Sequence, residues 1–387
     1  MDGDEEDPYL PIELIIQILL RLPVKSLIRF KCVCKSWFSL ISQPHFANSH
    51  FELTANAHAP RILFINPDLE SLSIDIEASL NDDSASYTPD ISFLFEEYDY
   101  DSSSSSSDVD FSSPHRYFLD LDIRGECRGF ILFSGYSSLY LWNPSTGVHR
   151  QIPFTTVHDS NLEANYFYGF GYDESSDDYL VLSMCYEPSA GDLLSHLGLF
   201  SLRANTWKEI EGGDNLRYSQ SCMYSRVDSL LNGVIHWLAF RYDRSMNVIV
   251  GFHLTERKLI ELPLPNSINN GRRVYDLWVF RGCLGLFDMC SDNGTVEIWV
   301  MENYNVQSSW TKTLVLSFGG IPMQYFCPKY CTKNGDIVGT DDSVLAKYSD
   351  KGQLLEHHNY SDHEVGSLVV MYTESLLSLP VGDSDQV

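Results

Sequence analysis

The side chains best suited to bind a metal or transfer a proton lie near the C-terminus: His357, His358, Asp362 and His363. Imidazole and carboxylate groups can coordinate zinc, but only when further hydrogen-bond partners hold each ring in one orientation. The sequence does not show such partners, so a polar loop is favoured over a metal site. Two acidic segments, DESSDD at 173–178 and TDDS at 340–343, lack the alternating ligand register and the turn glycine of a calcium-binding loop.

The sequence contains none of the common catalytic motifs. It has no glycine fingerprint of a nucleotide-binding loop, no GxSxG elbow and no HExxH metal motif. The nine cysteines include no CxxC pair, and Cys32 and Cys34 are too close together for ordinary zinc-ligand spacing. We therefore predict no catalytic residue, no metal and no cofactor, and we expect reduced thiols in the cytosol or the nucleus.

Charge and hydrophobicity restrict the class of protein. The 387 residues are 44% hydrophobic, enough to bury the cores of one large and one small domain. A net charge of −27 argues against binding to nucleic acids or to anionic membranes, which favour basic surfaces. No stretch approaches the roughly 20 apolar residues that span a bilayer. The acidic first residues lack the positive region of a secretory signal.

Composition divides the chain into helical, acidic and β-rich segments. Residues 80–110 hold nine acidic and no basic side chains, with six consecutive serines, so we expect a disordered insert there. Short runs of Tyr, Phe, Val, Ile and Trp, broken by Gly, Asn, Asp and Pro, predict strands further on. The predicted zones are an acidic disordered N-terminus at 1–8, a helical unit at 9–50, the start of a β domain at 51–80, the insert at 81–113, the main β domain at 114–380 and a tail at 381–387.

A strand–turn–strand unit recurs in the β-rich region, starting at Leu139, Leu197, Val248, Val296 and Ser343. Its spacing of roughly 46 to 59 residues is typical of four-stranded propeller blades. SLSIDIE near residue 75 supplies a sixth hairpin, and GSLVVMY near the C-terminus supplies a strand that closes the ring. The pattern predicts a six-bladed, kelch-like β-propeller, and a β-sandwich built from the same hairpins is the alternative.

The helical unit has more apolar surface than a small core can use. On a helical wheel of residues 12–22, Glu13, Gln17 and Arg21 form a narrow polar wedge, and apolar residues fill the remaining arc of roughly 240°. A surface helix that packs on one core shows an apolar stripe of about 100°. Either the β domain buries this helix, or a partner protein covers its second face.

The segment LPIELIIQILLRLPVKSLIRFKCVCKSWFSLISQPHF, residues 10–46, closely resembles the F-box. The resemblance implies a three-helix all-α unit that docks on the acidic Skp adaptor of SCF ubiquitin ligases, and through it on a cullin–RING ligase. Residues 9–45 carry one acid and five bases, which suits an acidic partner. The implied adaptor contacts are Leu10, Pro11, Ile15, Ile18, Leu19, Leu22, Pro23 and Val24. The implied internal core residues are Leu27, Val33, Trp37 and Leu40.

The β-rich region also resembles a known family. RGFILFSGYSSLYLWNPSTGVHRQIP, residues 128–153, is similar to the start of the F-box-associated region of plant F-box proteins, often labelled F-box/kelch-repeat. YGFGYDESSDDYLVL and LLNGVIHWLAF resemble later segments of that region. The double glycines of a regular kelch blade are largely missing, since Gly212-Gly213 and Gly319-Gly320 lack the aromatic spacing that follows them in kelch repeats.

Together the resemblances imply a non-catalytic substrate receptor of an SCF-type ubiquitin ligase. The helical unit would bind the adaptor, and the β domain would hold an unknown protein target for ubiquitination. An F-box scaffold or inhibitor that acts without a ligase is the alternative. A propeller enzyme would need convergent acids or a metal in its central channel.

Long connections between the predicted strands indicate where a target binds. In an antiparallel blade, alternate connections emerge at opposite ends, so six long segments fall on one face of a propeller. These segments are 155–165, 187–196, 212–225, 241–247, 265–275 and 318–328. Arg and Tyr are enriched in binding hot spots, so we predict target contacts, to an acidic or phosphorylated segment, by Arg217, Tyr218, Arg241, Tyr242, Arg244, Arg272 and Arg273. Scattered solvated arginines are the alternative.

Overall fold

The computed structural model describes residues 10–55, 57, 59–68, 70–77, 80, 86–89, 91–94, 121–135, 138–155, 165–189, 192–210, 218–220, 229–266, 268, 274–290, 294–318, 321, 323, 325–360 and 367–380. The predicted N-terminus at 1–8, the serine run of the insert and the tail at 381–387 lie outside the described residues.

Four helices form the N-terminal unit: α1 (Ile12–Leu19), α2 (Val24–Phe30), α3 (Lys35–Ile41) and α4 (Pro44–Thr54). Pro11 and Pro23 precede α1 and α2, and Pro44 begins α4, where a missing N–H costs no helical hydrogen bond. The sequence predicts three helices, and α4 is an addition to that prediction. None of the helices in the described part of the chain has the length and apolar composition needed to cross a membrane.

The rest of the described chain forms six antiparallel sheets. Strands are numbered along the chain, and each blade is described from the inner to the outer edge of its sheet. Blade 1 contains β25 (Leu368–Tyr372), β1 (Arg61–Ile65), β2 (Ser71–Asp75) and β3 (Ser86–Tyr87). Blade 2 contains β4 (Asp122–Cys127), β5 (Phe130–Ser134), β6 (Ser138–Trp142) and β7 (His149–Pro153). Blade 3 contains β8 (Asn165–Asp173), β9 (Asp178–Ser189), β10 (Asp192–Ser201) and β11 (Thr206–Glu209).

The inner edge of blade 4 is in two pieces, because β12 and β13 pair with different halves of the same strand. Blade 4 contains β12 (Tyr218–Gln220) and β13 (Ser229–Leu231), then β14 (Val234–Arg241), β15 (Met246–His253) and β16 (Lys258–Leu262). Blade 5 contains β17 (Val274–Phe280), β18 (Cys283–Cys290), β19 (Thr295–Met301) and β20 (Trp310–Ser317). Blade 6 contains β21 (Cys327–Cys331), β22 (Ile337–Thr340), β23 (Val344–Tyr348) and β24 (Leu354–Asn359).

The last described strand closes the ring. β25 comes from the C-terminus and pairs with β1, so that Leu63 lies opposite Val370. Contacts between inner strands run from β25 to β4, from β4 to β8, on through blade 4 to β17 and β21, and back to β25. Closure covers the lateral faces that an open array of the same blades would expose. The prediction of a small helical unit followed by a six-bladed propeller is confirmed, and the sandwich alternative is wrong.

Aromatic side chains fill the spaces between blades. Phe167 of blade 3 stacks on Trp237 of blade 4, with ring centroids 4.7 Å apart. Trp278 and Phe280 of blade 5 share a buried cluster with Tyr348 of blade 6. The facing surfaces of neighbouring blades are buried against each other, so each blade depends on its neighbours for stability.

The acidic segment DESSDD forms a turn between β8 and β9 rather than a calcium loop. Burial would raise the pKa of Asp173, but hydrogen bonds from Ser175, Ser176 and Thr255 outweigh it and hold the pKa at about 2. Arg257 also donates to this carboxylate at 2.8 Å. Because Thr255 and Arg257 belong to blade 4, Asp173 joins the turns of two blades.

Part of the predicted insert belongs to the propeller. Ser86–Tyr87 forms the outer strand of blade 1, and Ser92–Leu94 forms a 3₁₀ turn. Phe93 is buried and stacks on His149 of blade 2, with ring centroids 4.0 Å apart. The assignment of all residues 81–113 to a disordered insert is therefore wrong for 86–89 and 91–94, because Ser86–Tyr87 pairs with β2 and because Ile91, Phe93 and Leu94 fill the space between blades 1 and 2.

Candidate protein-binding surfaces

Helix α1 exposes an apolar stripe to solvent. Leu14 and Ile18 are four residues apart on one helix face, and their exposed fractions are 51% and 52%. Leu10, which precedes the helix, is 48% exposed. A group of large apolar side chains exposed together is typical of a protein interaction surface.

The structure divides the eight predicted adaptor contacts into two groups. Six of them keep exposed surface: Leu10, Pro11, Ile15, Ile18, Leu22 and Pro23. Leu19 and Val24 are only 1% and 4% exposed. Their prediction as surface contacts is wrong, because both side chains pack into the core beneath the helices.

The predicted internal residues are partly corrected as well. Leu27 is fully buried, and Trp37 and Leu40 pack against the same core. Val33 is 61% exposed, because it lies in the turn after α2 with its side chain in solvent. Phe38 of α3 is also exposed. Sequence reasoning did not select Leu14 or Phe38 as surface residues, although the wide apolar arc of α1 was a signal for Leu14.

A buried histidine fixes α4 to the break between α1 and α2. Nε2 of His50 donates a hydrogen bond to the Leu22 carbonyl oxygen at 2.8 Å. The Thr54 hydroxyl donates to the His50 carbonyl oxygen one turn earlier, at 2.7 Å. A lone histidine in a short helix has no spacing pattern, so the sequence carried no signal for this contact.

The helical unit is joined to the propeller by one continuous core. Leu19 and Leu27 share a buried cluster with Phe130 of blade 2 and with Leu376 and Leu377 of the C-terminal segment 373–380. The side chain of Asn143 holds this segment, because its amide donates to the Ser375 and Leu377 carbonyl oxygens at 3.2 and 3.4 Å. The propeller therefore buries one face of the helical unit and leaves the other face of α1 exposed, and coverage of that exposed face by a partner protein stays a prediction.

The predicted target face lies at the far end of the ring. The helical unit contacts the end formed by the β4–β5 and β6–β7 turns. The strands that flank the six predicted segments are connected at the opposite end, since antiparallel neighbours turn at alternate ends. The prediction of a long loop at 187–196 is wrong, because β9 extends to Ser189 and β10 begins at Asp192. The turn 242–245, between β14 and β15, is the part of these segments that the structure describes with exposed Tyr and Arg side chains.

Two of the predicted target residues are engaged within the protein. The Tyr218 hydroxyl donates to the Glu261 carboxylate, and Tyr218 is buried. Arg241 donates to Glu261 and to Asp243, at 2.8 Å for the Asp243 contact. Both residues already have carboxylate partners within the protein, where they tie β12, β14 and β16 together, so the structure gives them an internal role that sequence reasoning did not predict.

The other predicted target residues divide into two groups. Tyr242 and Arg244 are exposed at the tip of the β14–β15 turn, and the ring of Tyr242 lies edge-on against Phe240 at 5.1 Å. Arg217, Arg272 and Arg273 lie outside the described residues. Tyr242 and Arg244 therefore remain as described candidates for a target contact.

Titratable groups on and around β21, the inner strand of blade 6, affect one another's protonation. Burial would lower the pKa of Lys329, but Cys327, Asp342 and Asp276 raise it, so the ammonium keeps its proton. Burial raises the pKa of Cys327 to about 11, which leaves a neutral and unreactive thiol. Among the described residues, no group of three His, Cys, Asp or Glu side chains is arranged to hold a metal.

Two family descriptions match this chain. Residues 84–350 match the family described as F-box associated beta propeller domain. The chain belongs to the F-box proteins that carry an F-box-associated β-propeller. Residues 8–48 match the F-box domain itself, which covers α1, α2, α3 and the start of α4.

Relatives from Arabidopsis thaliana are similar to this F-box protein over most of its length. An F-box/kelch-repeat protein is 30% identical over 316 residues, which cover 79% of this chain and 79% of the relative. The F-box protein CPR1 is 28% identical, with 79% of this chain and 73% of the relative covered. The solved Dos1 propeller aligns with a TM-score of 0.36 at 10% identity over 67% of this chain and 69% of that chain, which is too weak to support any inference.

Proposed function

We propose that this F-box protein is the substrate receptor of an SCF-type ubiquitin ligase and has no catalytic activity of its own. The observation that carries the proposal is the exposed apolar stripe of Leu10, Leu14 and Ile18 on a unit whose opposite face is fixed to the propeller. The match to the F-box domain supports a Skp-family adaptor as the partner of this stripe. Exposed Lys25, Arg29 and Lys35 on the same unit add positive charge that favours an acidic partner.

In this proposal, the propeller binds the target at the end opposite the F-box. Tyr242 and Arg244 support that placement, because both are exposed there and both belong to residue types enriched in hot spots. The receptor then acts by proximity: it holds a target lysine near ubiquitin carried by another subunit. Neither the charged groups around β21 nor the histidines of β24 are required for this activity.

Reconstitution with purified subunits tests the proposal. The full chain is mixed with a Skp-family adaptor, a cullin and a RING subunit, and the assembly is followed by size-exclusion chromatography. We expect one complex that contains all four subunits and transfers ubiquitin to lysines within it. A chain that does not bind the adaptor would contradict the proposal at its first step.

The same experiment separates a ligase receptor from a scaffold. A scaffold or inhibitor would bind the adaptor but would leave the cullin in a separate peak. A receptor brings adaptor and cullin together, and ubiquitin transfer then depends on both. Stable adaptor binding without recruitment of the cullin would favour the scaffold.

A further inference from the structure

Arg128 occupies a turn position that does not suit an arginine. It is the first residue of the turn between β4 and β5, with a φ of 53°, and Gly129 follows with a φ of 83°. Two-residue turns of this kind favour Asn-Gly, because non-glycine side chains other than Asn or Asp are strained at positive φ. The equivalent turn of blade 4 has Asn232 at a φ of 53°. An arginine here therefore calls for a compensating contact.

The side chain of Arg128 makes that contact with helix α4. Its Nη2 donates a hydrogen bond to the Asn48 side-chain oxygen at 3.0 Å. Its guanidinium carbon lies 4.9 Å from the centre of the Phe51 ring and 4.1 Å from the centre of the Tyr172 ring. Asn48 and Phe51 belong to α4, and Tyr172 belongs to β8, so one side chain bridges the helical unit, blade 2 and blade 3.

The surface beneath Arg128 is itself held in place. The Tyr172 hydroxyl donates to the carboxylate of Asp177, and burial together with this bond raises the pKa of Tyr172 to about 12. Tyr172 therefore stays a neutral donor throughout the physiological range. Asp177 in turn accepts a hydrogen bond from Arg203 at 2.7 Å, which connects the side chain of Tyr172 to the β10–β11 turn.

A second arginine at the same turn position provides an internal comparison. Arg281 lies between β17 and β18 with a φ of 50°, and Gly282 follows it. Its Nε donates to the sulfur of Cys331 at 3.4 Å, and its guanidinium packs against Gly335 in blade 6. Arg281 thus joins two blades, whereas Arg128 joins the propeller to the F-box.

We propose that Arg128 is a positioning residue that sets the angle between the F-box and the propeller. The proposal rests on the proposed function, because that angle fixes how far a bound target lies from the adaptor. Arg128 contacts neither adaptor nor target; it acts through Asn48 and Phe51 on α4. Asn would adopt the positive φ of this turn with less strain than arginine. The contact with α4 therefore explains why this position holds an arginine.

Replacement by the residue that the turn favours tests the proposal in the full chain. Fluorescent amino acids are introduced at Gln17 of α1 and Met246 of β15, both exposed, and time-resolved energy transfer reports the distribution of their separation. We expect Arg128→Asn to at least double the width of this distribution. Arg281→Asn relieves the same turn strain away from the F-box and should leave the width unchanged.

A conservative variant and an affinity measurement complete the test. Arg128→Lys keeps the cation over the two rings, and we expect it to restore most of the narrow distribution. Adaptor binding of Arg128→Asn should stay within twofold of the unaltered protein, because the stripe of α1 is untouched. An unchanged distribution in Arg128→Asn would overturn the proposal. Failure of all variants and of the unaltered chain to bind the adaptor would instead overturn the proposed function and leave the distance result valid.

Discussion

His236 in blade 4 accepts a hydrogen bond from the hydroxyl of Tyr304 in blade 5, with 2.8 Å between Nε2 and the phenol oxygen. Nδ1 of the same ring donates to the Ser229 carbonyl oxygen at 3.0 Å, so the neutral tautomer is defined by its two partners. Burial lowers the pKa of His236 from 6.5 to about 4, against the smaller opposing effect of the Ser229 carbonyl. The folded protein therefore binds a second proton on the His236 ring, which would make it an imidazolium, more weakly than the unfolded chain does.

The first prediction concerns acid destabilisation through His236. Its contribution to stability is complete above pH 6.5 and is lost as the pH falls from 6.5 toward 4, and about 1.4 kcal/mol is lost by pH 5.5. His236→Asn keeps a donor for Ser229 but cannot titrate. Urea unfolding should show that the free energy of unfolding of wild type exceeds that of the variant by an amount that narrows from pH 7.5 to pH 5.5. A gap that is constant or widens on acidification would contradict this assignment.

The second prediction has the opposite sign. Oε1 of Glu126 accepts hydrogen bonds from the backbone N–H groups of Gly129 and Thr373 at 3.0 and 3.4 Å. Burial raises the pKa of Glu126 to about 7, because its effect exceeds the lowering by these two bonds. The folded state holds the proton of Glu126 more tightly than the unfolded chain does. The contribution of Glu126 to the free energy of unfolding is therefore fully present below pH 4.5 and is lost as the pH rises to 7.

Glu126→Gln removes the charge and keeps the acceptor oxygen. We expect the variant to be more stable than wild type, by a margin that grows by about 2 kcal/mol between pH 5.5 and pH 8. Urea unfolding at both pH values measures it, with His236→Asn as the matched control whose pH dependence runs the other way. A margin independent of pH would show that Glu126 is ionised in the folded protein throughout.

The third prediction separates the packed part of the insert from its serine run. Phe93 is buried against His149, Tyr140 and Trp142, so Phe93→Ala should cost about 3 kcal/mol and lower Tm by roughly 4 °C. Replacing Ser102–Ser107 by alternating Gly and Ala removes no large apolar side chain and should change Tm by less than about 2 °C. Equal Tm values for wild type and Phe93→Ala would show that the 3₁₀ turn does not contribute to the core.

The parts of the fold that the sequence predicted well are those with local patterns. The five recurring units correspond to the outer hairpins of blades 2 to 6, such as β6–β7 and β23–β24. In both examples the first strand of the hairpin is buried and the second is largely exposed, so an apolar run, a polar turn and a mixed run follow one another, and this order is visible in sequence. The F-box segment was recognisable for a similar reason, because its prolines and apolar spacing lie within about 40 residues.

The misses come from contacts between distant residues. Arg241 and Tyr218 were assigned to the target face by residue type and loop position, but their partner Glu261 lies some 20 and 43 residues away along the chain. Arg128 and Asn48 are likewise 80 residues apart. Residue type identifies a cation that is able to bind a partner, whereas only the fold shows whether an internal carboxylate already holds it.

The fourth prediction concerns the adaptor surface. Leu14→Ala with Ile18→Ala removes two half-exposed side chains, so Tm should change by less than about 2 °C. Adaptor affinity should fall at least thirtyfold, since a hot-spot truncation typically costs about 2 kcal/mol or more. Leu27→Ala is the matched control: Leu27 is fully buried, and its truncation should lower Tm because it leaves a cavity. Unchanged affinity of the double variant, measured by calorimetry, would place the adaptor elsewhere.

The last prediction concerns the target surface. Tyr242→Ala with Arg244→Glu alters two exposed residues at the end of the ring opposite the F-box. We expect this variant to keep adaptor affinity and Tm, but to retain less than a tenth of the target captured by wild type from cells treated with a proteasome inhibitor. The target is defined as protein captured by wild type that also accumulates when adaptor binding is blocked by Leu14→Ala with Ile18→Ala. Arg241→Ala is the control for a structural arginine, because loss of its bonds to Asp243 and Glu261 should lower Tm. If the Tyr242 and Arg244 variant captures the same proteins in the same amounts, the target binds elsewhere on the propeller, and the exposed β14–β15 turn has no part in recognition.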